Sequence, residues 1–252
     1  RFSCTGGHRF DHHNLQQMPG DLHTVIEAPE GYSIIYMDYS GLELRMAAAY
    51  IGEPVMCQMM INGMDLHTET AKFVFNVDKP TEPERTTAKV FNFSLVYGSG
   101  IKTVKNTLKI RNGIEMSFQE TKERVTSWFD FYEYFREWHN MHKAQMNIYG
   151  YVDIETALGR KVRTYQLTDS LNFPIQGSAV EVTKMSLGLL YSRYPKAHVI
   201  NTIHDANILL QRTEEAEMWK ARLSECMVDA WKYVIQDLAN PDVPMPHGGE
   251  IG

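Results

Sequence analysis

The run HVINTIHDANILL, residues 198–210, decides the fold. Two apolar arms flank His204 and Asp205, a pattern that reads as a β-hairpin with a polar tip. A carboxylate buried inside such an arm costs several kcal/mol unless something compensates it. Asp205 therefore sits at an exposed turn or is held there for chemistry, and the surrounding chain decides which.

Working outward, GYSIIYMDYS at 31–40 is a second β-prone run, bounded by Gly31 and carrying Asp38 near its end. LELRMAAAYIG follows with the composition of a helix closed by Gly52. Residues 53–80 read as helix and loop. Thr81 and Glu84 form a capping box with Pro83 in the first turn, which predicts a helix over 81–97 stopped by Gly98 and Gly100. The aromatic-rich stretch 117–148 is predicted helical, and YGYVDIETALGRKVRT is predicted to be a hairpin turning near Gly159. A helix is expected from Pro174 to Tyr191 and another over 214–238, the latter with Trp219 and Trp231 on its core side. Strands separated by a long helical middle predict an α+β protein with an inserted helical subdomain.

Composition narrows the class. With 252 residues, 43% of them hydrophobic, the chain can bury one large core or two smaller ones. It has no apolar run near the length of a membrane span and no signal-peptide pattern, which points to a cytoplasmic protein. Cys4, Cys57 and Cys226 lie far apart with no CxxC spacing, which argues for reduced thiols rather than a zinc site. The net charge of −6 argues against nucleic acid until its distribution is examined. Between Arg85 and Arg111 there is no Asp or Glu although the chain has 31 acids, and Arg160, Lys161 and Arg163 form a second basic patch.

Arg85, Lys89, Phe93 and Tyr97 recur every four residues and so share one face of the predicted helix. Cations suit a polyphosphate and rings suit a base and sugar. The alternative is an amphipathic boundary with snorkelling cations. Asp38 and Asp205 come from distant strand ends, an arrangement that can assemble a Mg²⁺ site. Two such ions roughly 3.5–4 Å apart can activate a hydroxyl and stabilise a leaving pyrophosphate. Singly, each acid reads as a turn residue or a cap.

DYSGLELR at 38–45 resembles DYSQIELR of DNA polymerase family A, the DNA polymerase I family, and RTTAKVFNFSLVYG at 85–98 resembles its RRxAKxxNFGxxYG helix. NFPIQGSA at 172–179 resembles NxPxQGTA, and IHDA at 203–206 resembles VHDE. RFSCTGGHRFDHHNLQQMP resembles GRLSSxxPNLQNIP, and DLHTETAKFVF resembles DIHxxTAxxVF. These matches keep the family order along the whole chain.

The resemblance implies a right-hand palm with an antiparallel sheet, at 1–50 and 166–252, and mostly helical fingers inserted at 51–165. It implies template-directed DNA synthesis from dNTPs on primer–template DNA with two Mg²⁺ ions. Asp38, Asp205 and the Tyr39 carbonyl would ligate the metals. Glu43 would pack below the sugar and exclude a 2′-hydroxyl; Arg85 and Lys89 would bind the triphosphate, with Lys89 donating a proton to pyrophosphate. Phe93 would stack near the sugar and Tyr97 would sit at the template–primer junction. Arg1, Asn172 and Gln176 would contact the duplex minor groove, and His204 would lie beside the primer terminus.

Several positions depart from the pattern. Ala206 replaces the acid after the second aspartate, Gly41 the usual Gln, Thr86 a basic residue, Ser94 a Gly, and Thr168 an Arg. Nothing resembles a thumb or a 3′–5′ exonuclease, so the chain reads as part of a larger replicative polymerase, with the missing segment in cis or on a separate chain. The departures suggest a bacteriophage source and hence a bacterial host cytoplasm. Two other functions stay open: a noncatalytic DNA-binding remnant, prompted by Ala206 and Gly41, and a two-metal nuclease, which has no need for the nucleotide-binding helix.

Overall fold

A computed structural model describes residues 27–252. Arg1, Cys4 and the motif beginning RFSCTGG lie outside the described residues. In chain order the elements are β1 (Tyr32–Tyr39), α1 (Leu42–Ile51), α2 (Pro54–Ile61), α3 (Leu66–Phe75), α4 (Glu82–Val96), α5 (Ile101–Asn112), α6 (Phe118–Phe131) and α7 (Glu133–Tyr149). Then come β2 (Val152–Glu155), β3 (Lys161–Thr164), α8 (Leu167–Arg193), β4 (Val199–Ile203), β5 (Ala206–Arg212), α9 (Ala216–Ile235) and β6 (His247–Ile251). The fold is α+β. The chain divides into two compact units: residues 27–42 with Gln176–Gln236 and Met245–Gly252, and Glu43–Ile175 with Asp237–Pro244.

The first unit is built on an antiparallel sheet in the order β4-β5-β1-β6. Alternation along β1 sends Ser33, Ile35, Met37 and Tyr39 to a buried face and Tyr32, Ile34, Tyr36 and Asp38 to the other. On β5, Leu209 opposite Ile35 and Asn207 opposite Met37 continue the buried face. That face packs under α9, whose Trp219, Leu223, Met227, Trp231 and Val234 are all buried. Two hydrogen bonds fix the layer: the Tyr39 hydroxyl donates to the Met227 carbonyl at 3.0 Å, and the Asn207 amide donates to Ser186 Oγ of α8 at 3.0 Å.

In the second unit α3, α4, α5 and α6 pack against one another, and the β2–β3 hairpin closes between α7 and α8 in sequence. Its core holds Phe91, Leu95, Trp128, Tyr132 and Phe135, with the Trp128 and Tyr132 rings edge to face at 5.0 Å. The capping box of α4 is formed: the Glu84 carboxylate accepts from the Thr81 backbone N–H at 2.7 Å and from its hydroxyl at 2.8 Å.

The structure adds three features to the predicted elements and moves one boundary. Helix α5, ended by left-handed Gly113, fills a stretch where none was predicted. The aromatic stretch is two helices, broken at Tyr132. Helix α8 starts at Leu167 and carries Pro174 inside it, because buried Leu171 and Phe173 and a His142–Ser170 hydrogen bond of 3.0 Å anchor the turns before the proline. Strand β6 was hidden by its Gly-rich sequence. At Gly249 an added Cβ would come within 2.5 Å of the Tyr36 carbonyl, so glycine is what allows β6 to pair with β1.

Candidate active site

His204 and Asp205 are the two residues between paired Ile203 and Ala206, so they form a two-residue hairpin tip. His204 is exposed and takes a positive φ of 54°, while Asp205 is half-buried. Strand pairing does the rest: Asp38 sits directly opposite Ala206, which brings the β1 carboxylate and the hairpin tip to the same end of the sheet. Both carboxylates act electrostatically on the Tyr36 phenol, whose proton is held above its ordinary range first by partial burial and then by Asp38, Asp205 and Glu250. Burial pushes the Asp38 carboxyl up, and the neighbouring Tyr36 phenol partly opposes that.

Anionic oxygens at a sheet end suit a hard cation, and a carboxyl that burial makes reluctant to ionise gains most from one. Among the described residues no group of three or more His, Cys, Asp or Glu could hold a metal ion. The Tyr39 side chain, bonded to Met227, is part of the core. Gly41, where the motif usually has Gln, adopts a φ of +67°, a conformation that costs glycine little.

In the other unit, α4 turns Ala88, Phe91, Asn92, Leu95 and Val96 inward. Arg85, Lys89, Phe93 and Tyr97 form the opposite stripe, with Lys89 and Phe93 exposed and Arg85 and Tyr97 half-buried. Arg85 is paired with Asp65, Nη2 to Oδ2 at 2.7 Å and Nε to Oδ1 at 3.3 Å. The guanidinium holds the Asp65 carboxyl well below the usual carboxylate range. Asp65 also caps α3 through the Thr68 N–H at 2.7 Å. The acid-free run is thus flanked by acids that reach it, Asp65 on one side and Glu115, 2.7 Å from Lys109, on the other. Tyr97 donates to the Glu43 carboxylate, so these two predicted site residues are bonded to each other.

Sequence reasoning missed His67. Its Nδ1 lies 3.0 Å from Asn92 Nδ2, and its ring centroid is 6.0 Å from that of Phe93. Burial lowers its pKa to about 4, with Arg85 and Lys89 acting in the same direction, so the ring is neutral at neutral pH. Asn92 is the hub beneath the stripe: it also donates to Thr70 Oγ1 at 3.1 Å and accepts from Trp128 Nε1 at 2.7 Å. The signal was present in DLHTETAKFVF, but nothing local says that residue 67 meets residues 92 and 93. Asn172 and Gln176 are both half-buried on α8, and Asn172 Oδ1 has no hydrogen-bond partner.

The chain belongs to DNA polymerase family A, whose family profile matches residues 2–252. DNA polymerase I of Aquifex aeolicus is 31% identical over 242 residues, covering 94% of this chain and 42% of the Aquifex protein. The thermostable DNA polymerase I of Thermus filiformis is 28% identical, covering 86% of this chain and 28% of its own. The chain therefore spans less than half the length of these relatives. The POL domain of Pol1 from M. smegmatis, solved in complex with DNA primer-template and dNTP, superposes with a TM-score of 0.83. That match covers 99% of this chain and 46% of the other at 23% identity, and it establishes the fold.

Proposed function

We propose that this chain carries the palm and fingers of a DNA polymerase that adds dNTPs to a primer 3′-hydroxyl and releases pyrophosphate. The sheet unit is read as the palm and the helical unit as the fingers, with a thumb supplied in cis or by another chain. One observation carries the reading: strand pairing sets Asp38 opposite Ala206, next to Asp205, so the two acids of the matching motifs meet at one sheet end.

Asp38 and Asp205, with the Tyr39 carbonyl, would hold the divalent cations, with Mg²⁺ the natural choice for oxygen ligands. When bound, the ions supply activation of the 3′-hydroxyl and stabilisation of the leaving pyrophosphate. The remaining chemistry belongs to side chains. Arg85 exchanges Asp65 for a phosphate oxygen, and Lys89 neutralises the triphosphate and protonates pyrophosphate from Nζ. His67, neutral and beside these cations, can donate a hydrogen bond to the same phosphates. Glu43, held by Tyr97, excludes a 2′-hydroxyl, and Phe93 stacks on the sugar. Arg1, Asn172, Gln176 and His204 contact the primer–template.

Primer extension with Mg²⁺ and dNTPs tests this. Asp205→Ala should slow extension at least about a hundredfold while DNA binding is retained. Equal rates in parent and variant would overturn the assignment. Absence of extension in the parent, with DNA still bound, would favour the noncatalytic remnant. Lys89→Ala should weaken Mg²⁺-dependent dNTP binding, an effect that a two-metal nuclease would not show.

A further inference from the structure

The β2–β3 hairpin carries surface chemistry that the catalytic reading does not use. Tyr149 ends α7, left-handed Gly150 turns the chain, Tyr151 directly precedes β2, and Tyr165 directly follows β3. Their rings adjoin one another: the Tyr149 and Tyr151 centroids are 6.2 Å apart, and those of Tyr151 and Tyr165 are 6.4 Å apart. Tyr149 is 64% exposed and Tyr165 is 71% exposed, so two of the three rings keep most of their surface in water. The hairpin is already anchored by its own buried cluster of Val152, Ile154 and Phe173, so core packing does not account for the outer rings. Cations are fixed beside them. The Arg163 guanidinium lies 3.9 Å from the Tyr151 ring centroid. Asp153, its cross-strand neighbour, clamps it there through bonds of 2.7 and 2.8 Å. The Arg160 guanidinium lies 4.7 Å from the Phe173 ring centroid, and Lys161 has Glu155 3.6 Å away. Three cations against two acids leave residues 149–165 net positive in a chain of net charge −6.

We propose that Tyr149, Tyr151 and Tyr165 form a stacking platform for the unpaired bases of single-stranded DNA, with Arg160, Lys161 and Arg163 meeting its phosphates. The inference deepens the polymerase reading, which requires an unpaired template, and uses none of the residues assigned there to chemistry, dNTP or primer–template. Every base has a π-face, so a row of exposed rings accepts any sequence, and cations beside the rings track the backbone. A duplex hides its base faces within its own stack and offers the platform only phosphates. The Asp153 clamp holds the guanidinium flat against Tyr151, so both are ordered before a strand arrives and less freedom is lost on binding. A protein partner would use the rings as apolar area alone, without need of their π-faces.

The test is fluorescence anisotropy of labelled oligo(dT) with the intact polypeptide. Parent, Tyr149→Leu/Tyr165→Leu and Tyr149→Phe/Tyr165→Phe are compared, each with a thermal melt and with a blunt duplex as second probe. The Leu pair keeps apolar area and removes the π-faces, so it should weaken oligo(dT) binding about tenfold or more, with the melt and duplex binding unchanged. The Phe pair keeps the rings and should bind as the parent does. Parent-like oligo(dT) binding by the Leu pair, or equal weakening on the blunt duplex, would overturn the platform. Photocross-linking from 5-iododeoxyuridine, placed either in a template overhang or in a displaced strand, should label residues 149–165 and show which unpaired strand rests there; labelling from neither would overturn the proposal. Primer extension by the parent reports the polymerase reading separately. Extension combined with a Leu pair that binds oligo(dT) normally removes the platform and leaves the polymerase, whereas no extension combined with Leu-sensitive binding does the reverse.

Discussion

The two candidate functional regions are held in place by different means. Asp38 and Asp205 are positioned by backbone pairing, by the register of β1 against β5 and by a two-residue turn. The stripe on α4 is positioned by side chains: Asn92 ties His67, Thr70 and Trp128 together, and Thr70 Oγ1 lies 2.7 Å from the Tyr132 hydroxyl. Backbone register survives a changed side chain, so an acid at the sheet end can be replaced without unfolding the sheet. A buried hydrogen-bonded network does not tolerate such a change, because each lost member strands its partners. Function and stability should therefore separate at the sheet end and fall together beneath α4.

Acid should break the helical unit first and hardest. Burial lowers the pKa of His67, His139 and His142 to about 4 each, against about 6.5 for an ordinary histidine. Between those values the unfolded chain binds protons that the folded chain refuses. The stability is fully present above about pH 6.5 and is lost as pH falls toward about 4, by about 2–3 kcal/mol per histidine. Chemical denaturation at stepped pH checks this; a midpoint flat from pH 7 to 4.5 would contradict it. Asn92→Leu is next. It removes the partners of Trp128 and His67 at near-constant volume and should cost about 2–4 kcal/mol, read as a lower melting temperature together with weaker dNTP binding. Asp65→Asn is the mildest. Asn still caps α3 and only a half-exposed ion pair is lost, so stability should change by less than about 1 kcal/mol. Because Arg85 is released from Asp65, dNTP affinity should hold or rise, and a marked fall would show that the pair positions the cation rather than competing for it.

The same division explains what could be read from the sequence. Where a signal is local it was legible: the β-prone run of β1, the polar tip between apolar arms of β4 and β5, the capping box of α4, and the four-residue spacing of its stripe. Strand β6 was not, since HGGEI carries a single β-branched residue, Ile251, beside two glycines, and pairs because Gly249 lets it approach Tyr36. The early turns of α8 were hidden by Pro174, which local rules treat as a boundary and which buried Leu171 and Phe173 override. The His67–Asn92 and Asp65–Arg85 pairs join residues at least 20 apart, and no periodicity reports that.

The central claim is that the sheet end performs the chemistry and that the pairing of β1 with β5 sets its place. The most direct test is single-turnover primer extension by Asp38→Asn, paired with its thermal melt. The account predicts a rate lowered at least about a hundredfold with the melt within about 1 kcal/mol of the parent. A variant that melts like the parent and extends primers at the parental rate would contradict it.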